Sequence, residues 1–210
     1  MYQDTPTFAI LSFAIAAYLF YLWYGDLSHF KKTGTPAKGA FEGATTVSAR
    51  SAVFAAACAL ALLAIFIAAE SYLGIDKQQS KVSAWALLSW ISAAVIEELI
   101  FRGYLVVRGK GAFVLWASVL FFSMRFALAH PFVWNYSVPE GDSLLNGVWI
   151  FDFSIQPIFS TFAIFACSLL FYVLRFMPSN VNRSLIPCMS AHCAYNLGVF
   201  AAKYLQGFIE

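Results

Sequence analysis

The chain has 210 residues, 61% of them hydrophobic and only 11% charged, where a soluble domain normally carries about a quarter charged residues. A net charge of +2 is too small for a nucleic-acid partner, and the basic residues flank apolar runs, which suits anionic lipid headgroups instead. These features exclude an ordinary soluble globule and point to an all-α, multi-pass membrane protein, of the plasma or inner membrane if the source is prokaryotic.

Crossing a hydrocarbon core takes roughly 20 helical residues. Six runs approach that length: Thr7 to Tyr24, Ser51 to Leu73, Val82 to Val107, Ala112 to His130, Pro157 to Phe176 and Leu185 to Tyr204. The first has no basic stretch before it and no small-residue cleavage site after it, so it reads as a span and not a signal peptide. Long unbroken apolar runs favour helices over a barrel, because each helix satisfies its own backbone.

Between the first two runs, Asp26 to Arg50 is polar and reads as a loop with room for a short interfacial helix. Segment 131–156 has acids (Glu140, Asp142, Asp152), no Lys or Arg, and Trp134, Tyr136, Trp149 and Phe153. Such rings settle at headgroup level, so a partly inserted loop capping one end of the bundle is expected. Lys31, Lys32, Lys38, Arg50, Arg108, Lys110, Arg175 and Arg183 fall on one side, against Lys77, Lys81 and Lys203 on the other. The richer side is expected to be cytoplasmic, with both termini outside. Residues 1–81 form an N-terminal pair of spans with their loop, and 82–210 a core of four spans.

Ionisable residues inside spans cost at least a few kcal/mol and mark function. Here they are Glu97, Glu98, Arg102, Arg125, His130 and His192, with Asn196 beside the last. Residues four apart share a helix face and adjacent ones diverge by about 100°, so Glu98 can pair with Arg102. Glu97 then points elsewhere without a local partner, as a general base requires. His192 and Asn196, also four apart, can donate hydrogen bonds to a developing oxyanion.

Arg125 lies off the face of His130. Pairing with Glu70 is the expectation there, with binding of a carboxylate such as a substrate C terminus as the other reading. Cys188 joins His192 and Asn196 on one stripe, yet neighbouring turns of one helix rarely activate a thiol. Cys58, Cys167, Cys188 and Cys193 show no paired spacing, so no disulfide framework is expected.

Glu97-Glu98-x-x-x-Arg102, Phe126-x-x-x-His130 and His192-x-x-x-Asn196, in this order and in separate spans, resemble the CPBP family. That family comprises type II CAAX prenyl endopeptidases and bacterial relatives once grouped as abortive-infection or bacteriocin-processing proteins. The resemblance covers roughly Val82 to Tyr204. It implies an intramembrane endopeptidase of the glutamic type acting on a membrane-anchored peptide, prenylated or carrying a sorting signal. Glu97 and His130 would activate water, His192 and Asn196 would hold the oxyanion, and Glu98 and Arg102 would be structural.

Zinc is the alternative, with Glu97, His130 and His192 as ligands. Once Glu98 is paired with Arg102, no carboxylate but Glu70, near the end of the second span, is in view to stand behind the histidines, which favours no cofactor. Depth poses a further problem. At about 1.5 Å per residue from the Gly109 to Gly111 turn, Glu97 lies about 18 Å deep and His130 about 28 Å, whereas His192 lies about 12 Å from its own loop. A proton-coupled transporter would need repeats and broken helices in matching halves, and neither is visible. A scaffold that kept the fold without activity is opposed by the complete motifs.

Overall fold

The computed structural model describes residues 5–210. Six helices follow the six apolar runs: α1 (Pro6–Thr33), α2 (Ala49–Leu73), α3 (Ala86–Glu97), α4 (Ala112–Ala129), α5 (Ile155–Phe176) and α6 (Ile186–Leu205). Of these, α1, α2, α4 and α5 have the length and apolar character to cross a membrane. The two helices that carry the polar motifs are different. With 12 residues, α3 rises only about 18 Å, and α6 carries His192, Asn196 and Lys203.

Two boundaries differ from the sequence reading. Helix α1 runs on to Thr33 and stops at left-handed Gly34; its extra turns bury Leu27, and Asp26 accepts a hydrogen bond from the Phe41 N–H at 2.8 Å. No separate interfacial helix follows before α2 among the described residues. The third run changes character at its middle: α3 ends at Glu97, and residues Glu98–Tyr104 form a π-helix, closed by a bond from Leu105 N–H to the Ile100 carbonyl five residues back.

Segment 131–156 is a β-hairpin. Strands β1 (Trp134–Ser137) and β2 (Val148–Phe151) pair antiparallel with Trp134 opposite Phe151 and Tyr136 opposite Trp149. Cross-strand partners share a face, so these four rings line one side of the ribbon. Its aromatic side meets the end of α4, where the Trp134 indole N–H donates to the Leu128 carbonyl at 2.7 Å.

The basic loops gather at the opposite end. Leu185 N–H donates to Gly43 O at 3.0 Å; Gly43 has φ +67°, and a Cβ there would strike Leu185, so only glycine fits. Glu42 binds Arg108 at 2.6 Å and approaches Arg175 at 3.7 Å. Arg175, counted above as a loop charge, is in fact fully buried at the end of α5. Asn180, also fully buried, shapes the α5–α6 turn by donating to Arg175 O and Ser184 O and accepting from Ser184 N–H.

The core is built around α6. Leu63 and Phe66 of α2, Cys167 and Phe171 of α5, and Cys188, Ala191 and Tyr195 of α6 pack together. All four cysteines are free.

Candidate active site

The switch from α to π geometry falls between the two glutamates, and it separates them in environment as well as direction. Glu97 keeps about a quarter of its side chain accessible, 27%, while Glu98 is fully buried. π-Bulges recur at functional sites because they redirect side chains that a uniform helix would hold in register. The wider turn frees backbone carbonyls, and α5 supplies their partners. The Tyr172 hydroxyl donates toward Phe101 O at 2.8 Å and lies 2.7 Å from Leu105 O, and Arg175 donates to Gly103 O at 3.2 Å.

One carboxylate oxygen organises the centre. Glu98 Oε1 lies 3.1 Å from Arg102 Nη1 and 2.8 Å from His192 Nδ1. The expected Glu98–Arg102 pair is present, but Glu98 also holds the histidine of α6. The sequence reading, which found no carboxylate but Glu70 to stand behind the histidines, is corrected on this point: a tertiary contact shares the oxygen that local spacing assigned to arginine alone.

Arg102 is fully buried. Its guanidinium lies 4.6 Å from the Phe126 ring centroid, 5.1 Å from those of Phe171 and Tyr172, and 5.9 Å from that of Phe101. Aromatic faces attract a desolvated cation, so four rings stand where water would. Phe101, Phe171 and Tyr172 were not singled out from sequence. Their signal is weak, since aromatic residues abound in every span.

His192 stacks on Phe171 with ring centroids 5.0 Å apart. A carboxylate accepts, so Nδ1 carries the hydrogen that it donates to Glu98, and Nε2 is the nitrogen left to face the cleft. That Nε2 stands 3.9 Å from Glu97 Oε2. The gap is too long for a direct hydrogen bond and suits one small group bridging the two.

Asn196 Nδ2 donates to the Trp90 carbonyl at 2.9 Å, tying α6 to α3 and leaving a second N–H and Oδ1. His130 sits at the C-terminal cap of α4 in extended conformation. Its Nδ1 donates to Phe126 O at 2.9 Å and its ring packs on Phe126 and Phe132. Among the described residues, no ion pair within 4.0 Å joins His130 to Glu97. His130 therefore borders the centre through Phe126 without touching either glutamate.

The zinc set of Glu97, His130 and His192 does not converge: among the described residues no group of three or more His, Cys, Asp or Glu could hold a metal ion. The expected Arg125–Glu70 pair is also absent, and Glu70 instead accepts from Gln79 Nε2 at 2.7 Å. Cys188 is fully buried and donates to Phe171 O at 3.1 Å, which makes it packing.

The family model described as Type II CAAX prenyl endopeptidase Rce1-like matches residues 79–198, more than half of the chain and all of the motif residues above. No curated protein and no solved structure matches the chain.

Proposed function

The chain belongs to the Rce1-like type II CAAX prenyl endopeptidase family and is an intramembrane endopeptidase acting on a membrane-associated peptide; from that premise we propose a glutamate-activated water as its nucleophile. The observation that carries this reading is the 3.9 Å gap between Glu97 Oε2 and His192 Nε2, with His192 held from behind by Glu98.

In the proposed reaction Glu97 takes a proton from water as its oxygen attacks the peptide carbonyl carbon. The carbonyl π electrons move to oxygen, and that oxyanion accepts from the Asn196 N–H not engaged with Trp90 and from His192 Nε2–H, the ring acting as an imidazolium whose Nδ1–H stays on Glu98. Collapse of the tetrahedral species breaks the C–N bond, and Glu97 returns its proton to the leaving amine. His130 contributes a second contact to the water through Nε2, since a carbonyl on Nδ1 fixes the hydrogen there. This last role requires closure of the distance between His130 and Glu97 when substrate is bound. Glu98 and Arg102 act as positioning residues. No step of the proposed reaction uses a metal.

The substrate class we propose is the C-terminal segment of a lipid-anchored protein, which the family's name supports. Purified protein in detergent, offered peptides with and without a lipid on a cysteine near the C terminus, tests this. Cleavage of the lipidated set at one bond is expected. Indifference to the lipid would overturn the substrate class, and no cleavage by well-folded protein would overturn the reaction.

A further inference from the structure

We propose that Arg125 and the aromatic face of the β1–β2 hairpin form a subsite for the free α-carboxylate at the C terminus of the substrate; this rests on the endopeptidase reading above. Arg125 lies exposed in the last turns of apolar α4, where a guanidinium facing hydrocarbon is costly without an anion. The two buried arginines have their partners: Arg102 has Glu98, and Arg175 has Glu42 and Gly103 O. Arg125 has no ion pair and no side-chain hydrogen bond among the described residues.

Three acids of the chain have partners of their own. Glu70 is bound by Gln79. Asp142 accepts from Ser143 N–H and Asn146 Nδ2, and Asp152 from Ser154 N–H, bonds that hold both carboxyls below the usual carboxylate range. Arg125 is also the only Lys or Arg between Lys110 and Arg175.

What Arg125 lines is a cleft of about 360 Å³, completed by Leu128, Ala129, Trp134 and Trp149. The chemistry is that of a small anion attached to an apolar body. A planar guanidinium matches a carboxylate in bidentate fashion, and the two indoles, 5.4 Å apart, offer walls for a terminal side chain. The neighbouring residue, Phe126, lies against Arg102 in the centre described above. Across a helix about 10–12 Å in diameter, that is three or four extended residues of roughly 3.3 Å each, a natural spacing between a C terminus and a bond a few residues upstream.

The test uses one lipidated peptide made as free acid and as C-terminal amide, cleaved by full-length wild type, Arg125→Gln and Arg125→Lys. Wild type is expected to prefer the acid in kcat/KM by about 10- to 100-fold, as for a charge-assisted hydrogen-bonded contact. Arg125→Gln should bring that ratio to near one, and Arg125→Lys should keep part of it. Equal loss on both peptides, or no loss on either, overturns the proposal. Repeating the comparison in zwitterionic and anionic nanodiscs separates the sources of the anion: an Arg125 effect confined to anionic lipid and equal for both peptides assigns the site to a lipid phosphate instead. Binding of the uncleaved lipidated peptide acid followed by tryptophan fluorescence needs no turnover. Weaker binding by Arg125→Gln supports the subsite even if wild type cleaves nothing, and unchanged binding overturns it even if wild type is active.

Discussion

Glu98 and His192 lie 94 residues apart in the chain, and their side chains meet at 2.8 Å inside the bundle. Because the same Glu98 oxygen also faces Arg102, one buried carboxylate joins the π-helix to α6 and sets the direction of the His192 imidazole.

Loss of that charge should be felt in stability. Glu98→Gln leaves the Arg102 guanidinium fully buried without a counter-ion, and breaking a buried pair from one side costs about 3–5 kcal/mol. A lowered thermal unfolding midpoint in detergent, with lost cleavage, is expected. Replacing the partly exposed Glu97 by Gln should leave the midpoint nearly unchanged.

Tyr172→Phe removes the hydroxyl that serves the Phe101 and Leu105 carbonyls of the π-helix. Buried acceptors left unpaired cost about 1–3 kcal/mol. The expected outcome is moderate destabilisation together with reduced kcat, since these turns set the direction of Glu98. Unfolding and steady-state kinetics on the same preparation check both.

The sequence carried most of this arrangement and missed some of it for physical reasons. Six apolar runs and the polar positions within them were legible because burial of charge in lipid is so costly that each exception stands out. Spacing alone paired Glu98 with Arg102. It could not reveal that Glu98 also holds His192, since that contact depends on how α3 and α6 pack. The change to π geometry after Glu97 has no residue signature here; it rests on Tyr172 and Arg175 of α5, far along the chain. Arg125 was expected to pair with Glu70, and the structure gives Glu70 to Gln79, a residue in the α2–α3 connection.

Cys188→Ala should cleave at close to the wild-type rate. Its thiol is fully buried against Phe171 O, and a buried thiol in apolar surroundings is inert. Thiol-alkylating reagents should likewise leave cleavage unaffected in a rate assay.

Incubation with a strong zinc chelator should leave kcat unchanged, since the proposed reaction uses Glu97, His130 and His192 for proton transfer and hydrogen bonding and not as ligands. Loss of activity that added zinc restores would convert those residues into ligands.

The measurement that bears most directly on the division of labour between the two glutamates is single-turnover cleavage of a lipidated peptide by Glu97→Gln beside wild type, with both unfolding midpoints recorded. Glutamine keeps the shape of Glu97 and removes its capacity to take a proton. A rate lowered by about 10²–10⁴, the usual contribution of a general base, at an unchanged midpoint is the expected result. A Glu97→Gln protein that cleaves at near the wild-type rate would contradict it.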